Sequence, residues 1–270
     1  MEEFDSSQQP TLIAAALRRR VGWLVLAHLP ALLFALSSWW LALGWLLILH
    51  AIVLWGTLNP QSALFGPVLR SVPGTERIVW ITIDDGPSSD TLAILQLLRE
   101  HDAKATFFLV ADRAQRQTEL VRAIIAAGHE VGNHSATHPA GRFWSLSPAR
   151  MAREIAIAQR TLTQLSGTPV RWFRAVVGHA NPFVEPVLRA LELRRVSWSA
   201  RAFDAVDGNA MRVTTRLFRA IRPGSIVLLH EGAAHGQNVM ILQCFLQGLR
   251  ERGYRAVLPP SGNAANYASQ

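Results

Sequence analysis

From residue 21 to residue 69 the chain has no Asp, Glu, Lys or Arg, and residues 23–58 are almost continuously apolar. An upright helical span uses roughly 20 apolar residues, so the run is too long for one crossing and short for two. Pro30 and the Ser37-Ser38 pair interrupt it. A turn at the serines puts Trp39 and Trp40 at one interface and Trp23 and Trp55 at the other, the usual place of aromatic belts. The expectation is therefore a tight transmembrane hairpin over 21–58. A hairpin keeps Arg18, Arg19, Arg20 and whatever follows on the cytoplasmic side by the positive-inside tendency, whereas a single span exports the rest. A cleavable signal peptide fits poorly, because a long apolar run follows the only weak cleavage site.

Half of the 270 residues are hydrophobic and the formal net charge is +8, carried almost wholly by arginine because Lys104 is the only lysine. The arginines are scattered rather than massed on one stripe, which argues against a nucleic-acid partner and leaves anionic membrane lipid or plain solvent facing them. The single cysteine, Cys244, can form no intrachain disulfide.

After a linker rich in Pro and Gly, short β-rich runs alternate with longer helical patterns. Expected strands are 77–83, 105–110, 129–133, 170–173, 195–199, 225–229 and 254–258; expected helices include 90–101, 119–127, 147–165 and 238–252. Seven alternations imply a parallel sheet. Asp84 and Asp85, His134, Arg174, Asp204 and His230 all fall at carboxyl ends of strands. Residues from five strands converge only if those strands encircle a common axis, the face where barrel enzymes build their sites.

Asp84 and Asp85 end an apolar strand, and Gly86-Pro87 forces a turn that can bring both carboxylates into the mouth. An Asp-Gly turn by itself is common. His134 and His138, at i and i+4, suit a helical turn that shares one ion; with one aspartate they leave a position open, as in a catalytic metal site. His230 ends the apolar run 226–229, where it reads as a general acid or as a satisfied core histidine. A buried Arg174 needs a carboxylate partner, Asp84 being the obvious one. Asp204 and Asp207 read equally as loop carboxylates.

In this order the residues resemble the polysaccharide deacetylase family, the family-four carbohydrate esterases with a NodB-homology domain, across about residues 77–258. The resemblance implies a distorted (β/α)7 barrel, here preceded by the transmembrane segment. It implies Asp84 as base, Asp85, His134 and His138 as metal ligands, and Arg174 as the group orienting the base. Asp204 would support His230 as the acid, and Leu228 would border the acyl-methyl pocket. Zinc is the first choice of divalent metal, with cobalt, nickel or iron able to replace it. In the third motif the usual proline and aromatic are absent from Arg174-Ala175-Val176-Val177-Gly178, and Ala205 stands where a tryptophan usually follows the aspartate. Those departures touch the groove walls and hence the substrate.

The resulting expectation is a hydrolase that removes an N-acyl, foremost N-acetyl, group from a sugar of a glycan or glycolipid, with a backbone N–H near Val177 at the oxyanion. One rival is a deformylase or deacetylase of a lipid-linked sugar at the cytoplasmic membrane face. The other is a silent, membrane-anchored glycan-binding domain. The expected organisation is an N-terminal tail (1–20), the membrane segment (21–58), a linker (59–76), the catalytic domain (77–260) and a C-terminal tail (261–270), held in a bacterial-type inner membrane. No protein partner follows from the sequence. His179, Asn181, Glu231 and His235 are polar residues near the same face without an assigned role.

Overall fold

The computed structural model describes residues 9–259, so the C-terminal tail expected at 261–270 lies outside the described residues. In β1 (Ile78–Gly86) the side chains alternate between two environments. Val79, Ile81 and Ile83 join the large core beneath the helices, whereas Trp80, Thr82 and Asp84 point the other way. β7 (Ser225–His230) repeats the pattern: Val227 and Leu229 face the helices, and Ile226 belongs to the inner cluster with Trp80, Phe108, Trp172 and Val196.

Around β1 the other strands are β2 (Ala105–Leu109), β3 (Glu130–Asn133), β4 (Trp172–Phe173), β5 (Arg194–Arg195), β6 (Ala200–Arg201) and β8 (Arg255–Ala256). The order across the sheet is β5-β4-β3-β2-β1-β7-β6, with β8 added on β1, and every ladder between named strands is parallel. The expected strand 195–199 is the connection between the two edges. Val196 N–H donates to Phe173 and Ser199 N–H to Ile226, so this short run links the β4 side to the β7 side. The result is a curled parallel sheet with helices outside it, the distorted (β/α)7 barrel that the sequence implies. The linker lies along it, with Leu69 bridging to Val196 and Ser71 to Ser225.

The outer helices are α3 (Thr91–Glu100), α4 (Ala111–Arg116), α5 (Thr118–Ala126), α6 (Pro148–Ser166), α7 (Val184–Ala190), α8 (Ala210–Ala220) and α9 (Asn238–Glu251). Pro148 opens α6, where its missing N–H costs nothing, and Gly167 closes it in a left-handed cap. The α8 helix, missed in the sequence, is capped by Asn209, whose side chain accepts from Arg212 N–H.

Two apolar helices precede the sheet, α1 (Gln9–Ser37) and α2 (Trp39–Leu58), both long and apolar enough to cross a membrane. They run antiparallel from a break at Ser38. Trp45 Nε1 donates to the Ala27 carbonyl, and the His28 and His50 rings meet edge to face at 5.3 Å. The boundary expected at residue 21 differs: residues 9–20 are not a tail but the first turns of α1. Ile13 and Leu17, one helical turn apart, are buried in the main core, and α1 packs on α7. We predict that Leu17→Ala lowers unfolding stability by about 2–5 kcal/mol, the usual cost of a Leu cavity. An unchanged denaturant midpoint of the full chain in detergent would refute this docking.

Candidate active site

Asp84 and His230 are register partners on neighbouring strands β1 and β7, which sets them side by side at the carboxyl end of the sheet. Asp85 would point away by strand alternation, but its φ of 72° breaks the extended geometry and turns it into the same mouth. The Arg113 guanidinium holds the turn by donating to the Asp85 carbonyl. Both carboxylates are thereby available on one face.

Asp85 Oδ1 lies 2.9 Å from His138 Nε2 and 3.5 Å from His134 Nε2. It is buried and accepts no well-formed hydrogen bond, so a ligand-grade oxygen is left aimed into the cluster. One donor atom from each of Asp85, His134 and His138 lies within 4.8 Å of the others. His134 Nδ1 donates to the Arg174 carbonyl at 2.9 Å, which leaves Nε2 with its lone pair toward the cluster. Burial alone would raise the Asp85 carboxyl, but the adjacent His134 and His138 imidazoles outweigh it and hold the group below the usual range. An N₂O donor set of this size fits zinc and, equally by ligand type, cobalt, nickel or iron.

The Arg174 guanidinium has no solvent exposure. Its Nη1 donates to Asp84 Oδ1 at 2.8 Å and to Thr82 Oγ1 at 2.7 Å, and its Nη2 donates to the Ser197 carbonyl at 2.9 Å. Asp84 Oδ2 is thus left facing His134, 3.8 Å from Nε2. On the other side, Asp204 Oδ2 accepts from the His230 backbone N–H at 2.7 Å and Oδ1 from His230 Nδ1 at 3.0 Å. Burial opposes charge on His230, yet the Asp204 carboxylate, with Asp84 and Asp85 behind it, pushes its pKa up to about 9. Its Nε2 is free of a protein partner among the described residues.

A family model for polysaccharide deacetylases matches residues 71–196. A chitooligosaccharide deacetylase of Bradyrhizobium sp. is 34% identical over 197 residues, spanning 68% of this chain and 89% of that protein. A peptidoglycan-N-acetylglucosamine deacetylase of Bacillus cereus is 32% identical over 196 residues, or 71% of this chain and 91% of that one. The chain belongs to the polysaccharide deacetylase family. Among solved structures, a mutant CE4 family pseudoenzyme with restored enzymatic activity superimposes with a TM-score of 0.64 at 28% identity, covering 70% of this chain and 68% of that chain. Its wild-type form, from Bacillus anthracis, scores 0.64 at 27% identity. Since this fold accommodates both states, membership alone does not decide activity and the side chains must.

One placement at the site differs from the sequence reading. Residues 134–138 are not a helical turn but an irregular loop, with Ser135 at φ 72° and His138 at φ 55°. Asn133 Oδ1 accepts from Ser135 N–H, and Ser135 Oγ from His138 N–H, so side chains replace the helical bonds. Asp207 is apart from the cluster, tied to Arg212 and Arg216 on the surface. Leu228 is buried on β7 two residues before His230, and Val177 stands half exposed with φ 55° beyond Arg174.

Glu154 had no legible signal in the sequence, and Asn181, Glu231 and His235 were legible only as polar residues without a role. Glu154, on α6, accepts from Ala136 N–H at 3.1 Å, from Thr137 N–H at 2.9 Å and from Thr137 Oγ1 at 2.8 Å, which fixes the loop that carries His138. His235 Nε2 lies 2.7 Å from the Asp204 carbonyl, and Glu231 accepts from Ser88 and Thr91 in the turn after Asp85. Asn181 donates to Leu146. Glu154→Ala is expected to weaken zinc binding about 10- to 100-fold, the usual weight of an outer partner of a metal ligand. Competition with a chromophoric chelator measures this; an unaltered affinity would leave Glu154 a surface carboxylate.

Proposed function

We propose that this chain is a metal-dependent hydrolase that removes an N-acyl group, foremost N-acetyl, from an amino sugar of a glycan or glycolipid. Support comes from the relatives, which are deacetylases of chitooligosaccharide and of peptidoglycan N-acetylglucosamine. The observation that carries the reading is the Asp85, His134 and His138 cluster with Asp84 and His230 beside it, a complete set for hydrolysis.

In this reading Asp85, His134 and His138 would hold a divalent ion, which would supply Lewis acidity toward an acyl carbonyl and a water. Asp84, one oxygen pinned by Arg174 and the other facing the cluster, takes a proton from the attacking water. The backbone N–H at Val177 faces the developing oxyanion, and Leu228 lines the acyl-methyl pocket. His230, oriented through Nδ1 by Asp204, delivers a proton from Nε2 to the departing nitrogen. The products are a carboxylate and an amine. The intact set speaks against the silent glycan-binding reading.

Asp84→Asn keeps shape and metal but cannot take the proton, so turnover of an N-acetylglucosamine oligosaccharide is expected to fall by roughly 10² to 10⁴. Asp85→Asn is expected to lower metal affinity first, with activity partly restored by excess metal. Rescue of D84N but not D85N would exchange the two roles.

We further propose that α1 and α2 form a membrane hairpin that leaves the catalytic domain on the cytoplasmic face of a bacterial-type inner membrane. The closed end at Ser38 points away from the sheet, and both open ends meet it, with Arg18 to Arg20 on that side. A cytoplasmic reporter fused after Gln270 is expected to be active. An active periplasmic phosphatase there, with a silent cytoplasmic reporter, would overturn this topology.

A further inference from the structure

The open end of the hairpin rests against the active-site wall. Ala180 N–H donates to the Thr57 carbonyl at 3.3 Å, where α2 ends. Gln61 Nε2 donates to the Trp198 carbonyl at 3.0 Å. Gly178 sits so close that a Cβ there would meet Trp198 and come within 2.9 Å of Pro60. These contacts fall on the loop that follows Arg174 and on Trp198, not on a remote face of the barrel. Trp198 is shared: one neighbour is the Arg174 guanidinium, 5.8 Å from its ring, and another is the Arg201 guanidinium at 5.2 Å. One indole therefore neighbours both the group that orients Asp84 and a second cation, and its backbone is tethered to the foot of the hairpin.

Arg201 differs from the other arginines in this region. Arg174 and Arg195 are buried and bonded to several acceptors, and Arg212 and Arg216 are paired with Asp207. Arg201 is exposed, stacked 4.1 Å over the Phe203 ring, and no described carboxylate lies within ion-pair distance of it. Asp204, the nearest acidic influence on it, is engaged with His230. A guanidinium packed against the Trp198 and Phe203 rings, with no described carboxylate in ion-pair reach, keeps N–H groups available for an oxyanion that accepts two of them at once, as a phosphate does through two of its oxygens. Beside this cation, Phe203 and Val206 present exposed apolar side chains, and Val177 is exposed on the loop after Arg174; Trp55, Leu58 and Leu64 are exposed at the hairpin foot.

We propose that the substrate comes to this site from the bilayer as an N-acyl amino sugar joined to a lipid through a phosphodiester or pyrophosphate, and that Arg201 binds the phosphate. The reaction is the deacylation proposed above, on which this inference rests. The hairpin sets the site next to the membrane surface, the apolar flank receives the first part of the lipid chain, and the sugar passes Trp198 to reach Asp84 and His230.

The test uses the full chain, zinc-loaded, in nanodiscs of zwitterionic phosphatidylcholine and, in parallel, in discs that also contain anionic phosphatidylglycerol, with acetate release as the readout. Three substrates are compared: a polyprenyl-phosphate-linked N-acetylglucosamine in the same discs, soluble N-acetylglucosamine 1-phosphate, and the neutral tetramer of N-acetylglucosamine. The lipid-linked sugar is expected to exceed both soluble compounds in kcat/KM by about 10-fold or more. R201A is expected to raise KM for it about 10- to 100-fold, the weight of charge-assisted hydrogen bonds, and R201K to recover part of the loss. The proposal is overturned if the neutral tetramer is the better substrate, or if R201A leaves the preference as it was. Equal use of the soluble sugar phosphate would assign the phosphate site to a soluble substrate and remove the membrane from the reading. An R201A defect seen only in discs containing anionic lipid would make headgroups the ligand and also overturn it. Deacylation of the tetramer alone would leave the hydrolase standing without this substrate, whereas no acetate from any substrate would sink both.

Discussion

The Arg174 guanidinium is the interaction on which the site depends. It is fully buried and reaches Thr82 and Asp84 on β1 and the carbonyls of Val196 and Ser197 on the connection between the sheet edges. The Phe108 ring of β2 stacks on it at 4.3 Å. A buried cation is costly unless paired and fully bonded, and losing one partner leaves the other stranded. The same network therefore closes the curled sheet across its weakest seam and decides which oxygen of Asp84 is free. The Arg174 backbone takes part as well, since its carbonyl receives His134 Nδ1 and thereby sets the tautomer that faces Asp85 and His138.

Function in such a barrel lives where regular structure stops. Asp85, Ser135, His138 and Val177 all have positive φ, a region that is strained for residues other than glycine. Each is held by a bond from elsewhere or by its neighbours: Arg113 at the Asp85 carbonyl, Asn133 at Ser135, and Glu154 along the loop before His138. Rigid strands set the height of the site and these irregular residues turn the side chains inward. The N-terminal helices add a second kind of control. Their docking through Ile13, Leu17, Thr57 and Pro60 couples the position of the active-site wall to the apolar hairpin.

Much of the fold was legible because its signals are local. Apolar strands ending in polar residues, such as 78–86 and 225–230, announce themselves by composition, and α6 and α9 by their 3.6-residue period. The short α4 and α7 carry too few turns to establish a period. The start of α1 was obscured by the abundance of apolar residues after it, so that the buried stripe of Ile13 and Leu17 did not stand out from a polar tail. The loop at 134–138 was misread as a helical turn because i, i+4 spacing is shared by helices and by loops that fold back through side-chain bonds.

By itself the sequence determined the family, the strand–helix alternation of a parallel sheet, and which ionisable residues follow its strands, because each of those is written in residue type and spacing. What only the tertiary structure decided is which atoms meet. That Asp85 Oδ1 faces His134 and His138, that Glu154 secures their loop, and that Trp198 neighbours Arg174, Arg201 and the hairpin foot depends on residues far apart in the chain. Such contacts arise from the curl of the sheet and from docking between elements, and neither leaves a periodic trace in the chain, since a side chain's partner across a fold is set by three-dimensional packing rather than by its neighbours in sequence.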